Sequence, residues 1–238
     1  MSLWDTASLG AAIAAVGALG TAAFGLVDSF KMLPSGGISN AGYIYIEQAI
    51  QIFFKDATRK NAPADLKQLF ETLHGNWING TALADQKAIA KSLIKLRLNS
   101  TTAPDFAKAT AVDSPSLTSA GQKMATGASL TSEESNALGR FDLALTAILD
   151  GKYQHADQRY RNAAKLTAMF VAIVLAFFGG WINYGSDNGG GLMLNYLGTA
   201  DMWRALLAGF LATPLAPITK DLSSALAAGV KVAQSLRS

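Results

Sequence analysis

Residues 166–186 read LTAMFVAIVLAFFGGWINYGS, a run without a single charged side chain between Lys165 and Asp187. An α-helix needs about 20 apolar residues to cross a bilayer core of about 30 Å, and this run supplies them. Tyr160 precedes it, and Trp181 and Tyr184 close it, where amphipathic rings settle at a membrane–water boundary. The run predicts a transmembrane helix over residues 166–186.

Two other runs follow the same logic. Thr6 to Val27 is uncharged between Asp5 and Asp28, though rich in Ala and Gly rather than Leu. The residues before it, Met1-Ser2-Leu3-Trp4-Asp5, carry no Lys or Arg, and the apolar run is long for a signal peptide, so residues 1–30 read as a stub and a first span. The third run, Ala205 to Thr219, is shorter; starting it at Met202 lengthens it if Arg204 snorkels to the interface, and it reads as a third span over residues 204–219, with a re-entrant or interfacial helix as the alternative. Pro214 and Pro217 stand near its far end, where a helix is expected to break.

Basic residues then set the orientation. Lys152, Arg159, Arg161 and Lys165 approach the second span, and Lys220, Lys231 and Arg237 follow the third; the stub and the loop over residues 187–203 have none. Lys and Arg near span ends stay on the cytoplasmic side. The N-terminus and the 187–203 loop are therefore expected outside, and residues 31–165 and the C-terminal tail inside. The predicted fold is an all-α integral membrane protein: three transmembrane helices plus a helical cytoplasmic domain, residues 31–165, inserted between the first and second spans.

Only 16% of the 238 residues are charged, against about 25% in soluble domains. A net charge of +3 offers no concentrated basic surface for nucleic acid. With no cysteine there is no thiolate nucleophile, disulfide or cysteine metal site, and His74 and His155 are too distant in sequence to suggest an imidazole site. Phosphate-loop, dinucleotide and zinc-protease motifs are missing from the sequence, and Gly189-Gly190-Gly191 is followed by no basic residue that would hold phosphate. No ionisable residue stands mid-span, as a proton- or ion-coupled transporter requires. The expectation is a non-enzyme with no catalytic residue, cofactor or metal.

Residues 31–165 read as a string of helices. Ser39 or Asn40 caps the first, which runs to about Lys60 with Tyr43, Ile46, Ile50, Phe53 and Ala57 on its apolar face. Asn61 and Pro63 open a second, with Leu66, Leu69, Phe70 and Leu73, stopped by Gly75. Thr81 caps a third, running to about Leu98 with Ile89, Leu93 and Leu96 on one face. Residues 99–130, rich in Ser, Thr, Ala and Pro, predict two short helices after Pro104 and Pro115 and the most mobile part of the domain. Thr131-Ser132-Glu133-Glu134 has capping-box spacing and opens a fifth helix, with Gly151 as its stop. From about Tyr153 a further helix runs without a breaker into the second span.

Small residues recur at four-residue spacing in every span. The first carries Gly17, Thr21 and Gly25 beside Ala14, Ala18 and Ala22; the second carries Ala168, Ala172, Ala176 and Gly180; the third carries Ala205, Gly209 and Thr213 and also Ala208, Ala212 and Ala216. Such stripes let helix backbones approach closely in lipid, and they predict a tight bundle and a homo-oligomer. Lys87, Lys91 and Lys95 form a basic stripe on the third cytoplasmic helix, placed for solvent or for anionic lipid headgroups. Residues 220–238 are expected to form an amphipathic helix lying at the interface or on the domain.

The end of the third run, Leu215-Ala216-Pro217-Ile218-Thr219-Lys220-Asp221-Leu222, resembles a group of uncharacterised bacterial membrane proteins whose last span ends G-A-P-F-W-F-D-L-L. Ala216, Pro217, Asp221 and Leu222 match in spacing; Leu215 departs from the Gly, and Ile218-Thr219-Lys220 from the aromatic triplet. The resemblance covers about a third of the chain and implies a bacterial inner-membrane location, with no activity or site residues. The expected function is a membrane-anchored scaffold or interaction protein, with the lipid bilayer, a second copy and an unidentified protein as partners. The alternative is a homo-oligomeric pore or membrane-permeabilising effector.

Overall fold

The computed structural model describes residues 6–30, 34–55, 57–187 and 193–235, and all regular structure among them is helical. The chain divides into two compact units, one over residues 35–161 and one formed by the segments on either side.

The 35–161 unit opens on a 3-10 helix, Pro34–Ser39, at its boundary. It contains α2 (Asn40–Gln51), α3 (Ala64–Ile78), α4 (Leu83–Lys95), α5 (Ala103–Thr110), α6 (Ser114–Thr126) and the first part of α7 (Ser132–Asp187). Its core is built from large apolar side chains. Ile46, Ile50, Phe70, Phe106, Leu117, Phe141 and Leu145 are fully buried, each contributing about 1.5–3 kcal/mol by leaving water. Phe106 holds the centre, edge-on to Phe53 at 5.5 Å and stacked on Phe141 at 5.9 Å.

Several expected boundaries move. Helix α2 ends at Gln51, not near Lys60: the Phe53 and Phe54 amides both donate to the Ile50 carbonyl, and the chain turns back until the Arg59 amide donates to Glu47 Oε1 at 2.8 Å. Phe53 and Ala57 still reach the core, but from a turn. Gly75 does not stop α3, which continues to Ile78 because Trp77 is anchored by its indole N–H on the Ser39 carbonyl at 2.8 Å; the chain then turns at Gly80, whose φ is +69°. Helix α4 begins after Ala82, without a side-chain cap from Thr81. Its inner face is Gln86, Ala90 and Ile94; Ile89 and Leu93 pack at the edge of the core, while Leu96 is 80% exposed.

Helices α5 and α6 carry Pro104 and Pro115 in their first turns, as the sequence predicts. The segment expected to be mobile is instead packed, with Phe106, Ala107, Leu117 and Ala120 buried. The capping box of α7 forms in both directions: the Thr131 amide donates to Glu134 Oε2 at 2.7 Å, and the Glu134 amide to Thr131 Oγ1 at 3.2 Å. Gly151 does not stop this helix. Leu149, Tyr153 and Ala156, on both sides of it, prolong the buried face of Phe141 and Leu145, and that burial outweighs the ~1 kcal/mol helical cost of a glycine. The continuity expected from Tyr153 onward is present.

The other unit contains α1 (Thr6–Phe30), the later part of α7, the short α8 (Met193–Tyr196) and α9 (Ala200–Ser235). Helices α1, over Ala11–Ser29, and α7 are long and apolar enough to cross a membrane. Helix α9 passes through Pro214 and Pro217 without ending, so the third run and the C-terminal helix expected as separate elements are one. The proline rings face outward, while Ala212 and Ala216 between them and beside them are buried in the packing with α1 that carries the helix through. Side chains on most of α9 beyond Ile218 lie outside the described residues, as do residues 188–192 of the expected external loop.

Candidate functional surfaces

In the unit built on α1, α7 and α9, most of the buried residues are small, and the larger Val27, Tyr196 and Met202 are buried beside them. Ala23, Ala172 and Ala212 meet at full burial, flanked by Val16, Leu19 and Val171. Among the described residues, Gly20, Gly180 and Gly209 make close approaches. A Cβ at Gly20 would overlap the Ala212 carbonyl; one at Gly209 would lie 2.6 Å from the Ile173 Cα; one at Gly180 would overlap the Tyr196 hydroxyl. Other large apolar side chains point outward: Phe170 is 66% exposed, Ile182 69%, Leu207 58% and Phe210 52%.

The predicted stripes divide between these two faces. Ala168 and Ala172 are fully buried, Ala176 is half-buried, and Gly180 packs against Ala205 and Tyr196, so the second stripe is a contact within this chain. On α1, Gly17 is buried, but Thr21 and Gly25 are exposed; the Thr21 hydroxyl donates to the Gly17 carbonyl at 3.1 Å, and nothing lies within 4 Å of a Cβ at Gly25. The inward face is Gly17, Gly20, Ala23 and Val27. Gly20, which the four-residue spacing passes over, is legible only as part of the three-residue series 17, 20, 23.

The basic stripe of α4 also has a different partner from the one expected. Lys91 and Lys95 donate to the two oxygens of Asp142 on α7, at 2.6 and 2.8 Å, and Lys87 pairs with Asp150. All three lysines are half-buried between the helices. The stripe is a seam of the domain rather than a free face for lipid headgroups.

One cluster of chemistry-bearing side chains joins three segments that no sequence spacing relates. A cleft of about 470 Å³ is lined by Asn40, Tyr43, Ile44 and Glu47 of α2 and by Thr58, Arg59 and Lys60 of the following turn. At its base, the Arg59 guanidinium donates to His74 Nδ1 at 3.0 Å, and His74 Nε2 lies 3.5 Å from Asn40 Oδ1. The imidazole meets the Tyr43 ring edge-on at 4.7 Å, and the Tyr43 hydroxyl donates to the Phe70 carbonyl at 3.0 Å. Burial, reinforced by the Arg59 charge, holds the His74 pKa below the usual histidine value. His74 is therefore neutral at pH 7 and can accept the guanidinium N–H. Among the described residues no group of three or more His, Asp and Glu side chains is arranged to hold a metal ion.

Comparison with protein-family models, curated proteins and solved structures finds no match to this chain.

Proposed function

We propose that the chain is a membrane-anchored helical scaffold: a three-helix anchor of α1, the later part of α7 and α9, carrying residues 35–161 as an interaction domain on the cytoplasmic side. The observation that carries this reading is the reversal of side-chain size between the two units. Residues 35–161 bury Phe, Ile and Tyr, as the hydrophobic effect demands in water at about 25 cal/mol per Å². The anchor buries mainly Ala and Gly where its helices meet, with Val27, Tyr196 and Met202 as its larger buried side chains, and exposes Phe170, Ile182 and Phe210, an arrangement that would waste apolar burial in water. In lipid no hydrophobic force draws large side chains inward, and helices associate where small residues let backbones touch.

The third span rests on a packing argument. Helix α9 lies along α1, so a bilayer that holds the apolar window of α1 holds the Met202–Ile218 stretch with it. Prolines are tolerated in membrane helices whose neighbours support the freed backbone groups. The basic flank of α7 favours an inside location for residues 35–161 and an outside location for the N-terminus and the loop after Asp187. The resemblance at Ala216, Pro217, Asp221 and Leu222 favours a bacterial inner membrane. The outward small face of α1, with Ala18, Thr21, Ala22 and Gly25, favours a second copy as a partner.

Because the chain has no cysteine, single cysteines report cleanly. In intact bacterial cells an impermeant thiol reagent should label Ser186→Cys, and should label Ser100→Cys only after permeabilisation. The opposite pattern refutes the orientation, and recovery of the protein in the soluble fraction after alkaline extraction refutes the anchor.

A further inference from the structure

We infer that the cleft at Arg59 is a binding site for the phosphate group of an organic phosphate ester. The inference stands on residues 35–161 alone and does not need the membrane reading.

The starting point is the half-buried guanidinium. Arginine carries five N–H donors and no acceptor. In a partly desolvated place it ordinarily faces a carboxylate, because an uncompensated charge is costly to take out of water. Here the hydrogen-bond partner of the Arg59 guanidinium is a neutral imidazole, His74 Nδ1 at 3.0 Å. The nearby acid, Glu47, uses Oε1 on the Arg59 backbone amide instead, and among the described residues no carboxylate lies within ion-pair distance of the guanidinium. Histidine fixes the plane of the Arg59 fork without neutralising it, so donors remain for an external acceptor.

The rest of the cleft defines the acceptor. Lys60 stands next to Arg59 in the chain, is exposed, and lines the same space. A planar fork beside a point charge suits a tetrahedral oxyanion, with the guanidinium taking two oxygens and the ammonium a third. Among the described lining residues, Arg59 and Lys60 against Glu47 leave a net positive charge that attracts a phosphate ester. The volume exceeds what a bare phosphate fills, and Ile44, 51% exposed, supplies an apolar wall beside the charged end. A lipid headgroup and a soluble phosphate ester share this chemistry.

His74 reports on the site. It lies against Arg59 and is one of two histidines; His155 stacks on Tyr45 at 6.1 Å and serves as internal reference. The test follows the imidazole ring signals of the full chain by NMR across pH, in a sugar-based detergent free of phosphate. Glycerol 3-phosphate is added in one arm, and in the other the protein is placed in nanodiscs of phosphatidylglycerol. Sodium chloride at matched ionic strength and nanodiscs of a glycolipid are the respective controls. An anion on Arg59 and Lys60 should raise the His74 midpoint and leave that of His155 unmoved. A rise with glycerol 3-phosphate assigns a soluble ester, and a rise with phosphatidylglycerol alone assigns a headgroup; both support the site. Arg59→Gln and Lys60→Gln should each weaken the apparent affinity at least about tenfold, the factor given by 1.4 kcal/mol. Lys60 is exposed, so its variant folds whatever the fate of the first. Glu47→Gln keeps the acceptor for the Arg59 amide, removes the repelling charge, and should tighten binding. Equal movement of His74 and His155 in both arms, or a His74 shift reproduced by chloride and the glycolipid, overturns the inference.

Discussion

Gly20 of α1 sits directly against the backbone carbonyl of Ala212 on α9, so closely that a methyl group on Gly20 would overlap the carbonyl oxygen and crowd the Ala216 Cβ at 3.0 Å. Neither obstacle is a flexible side-chain end, so relief requires the two helices to separate. Gly20→Ala should therefore destabilise the packing of α1 on α9 by about 1–3 kcal/mol, the usual cost of overpacking. Gly25, one turn further and on the outward face, has open space around it. Gly25→Leu should leave the monomer as stable as the parent, while converting a self-associated form to a smaller species if a second copy packs there. Unfolding in detergent micelles and sedimentation read the two effects separately. Equal stability of Gly20→Ala and the parent would show that α1 and α9 do not touch at this point, and an unchanged assembly size for Gly25→Leu would remove the outward stripe from the interface.

The seam between α4 and α7 makes a second comparison. One carboxylate, Asp142, accepts from both Lys91 and Lys95, so Asp142→Asn strands two half-buried ammonium groups at once. Half exposure to water screens the pairs, and the loss should be about 1 kcal/mol rather than the several expected of buried charges. Asp105→Asn, which removes the exposed Lys55 pair, should cost less. Urea denaturation of the full chain, followed by near-UV signals of the domain, measures both. An Asp142→Asn midpoint equal to the parent would mean that the lysines make their contacts elsewhere, with water or with lipid.

How much of this was legible depends on whether the deciding contact is local. The capping box at Thr131 and Glu134 is three residues wide, and the sequence reads it directly. The α7 run from Tyr153 to Phe178 has no Pro or Gly, and its continuity follows. Leu66, Leu69, Phe70 and Leu73 repeat at helical spacing and are buried as expected. Gly75 and Gly151 were expected to end helices because glycine is a poor helix former, but Trp77 and Tyr153 beyond them are anchored by distant partners that spacing does not reveal. The acids facing Lys87 and Lys95 lie 63 and 47 residues away, and the Arg59 cleft joins α2, a turn and α3. In α1 the obstacle is different: Ala and Gly occupy both faces, so periodicity has almost no contrast with which to tell Gly20 from Gly25.

Acid should act on the domain through Glu134. Its carboxylate accepts from Lys123 Nζ at 2.8 Å, the Ser119 hydroxyl at 2.5 Å and the Thr131 amide, and these partners, Lys123 first, hold its pKa at about 2 against an ordinary 4.5. The unfolded chain then takes up the proton first as pH falls. The contribution of Glu134 is whole above pH 4.5 and is lost progressively as pH falls from 4.5 to 2. Glu134→Gln should be less stable than the parent at pH 7 and should close that gap on acidification. His74, whose pKa is also depressed, lowers stability below its ordinary 6.5 in both proteins and cancels in the difference. A gap between the two proteins that stays constant from pH 7 to pH 3 would show that the carboxylate is not held by these donors.

The sharpest test of the α7 assignment is the sign of a change at Gly151. Two local structures are possible for a glycine at this point. As a helix stop it would adopt a positive φ, and alanine there would be strained by about 1 kcal/mol. In the interior of a helix, alanine gains about 0.5–1 kcal/mol because it loses less backbone freedom on folding. Gly151 is absent from the glycines with positive φ, it is exposed, and a Cβ there meets nothing within 4 Å. Gly139, earlier in the same helix, shares all three properties. Gly151→Ala and Gly139→Ala should therefore each stabilise the domain by about 0.5–1 kcal/mol, and additively, since three turns of helix separate them. Gly151→Pro should cost about 3 kcal/mol or more, by removing one amide donor and displacing the carbonyl one turn before it. Denaturation midpoints of the three variants decide the matter. Stabilisation at residue 139 with destabilisation at residue 151 would place a break at Gly151 and divide α7 into two helices.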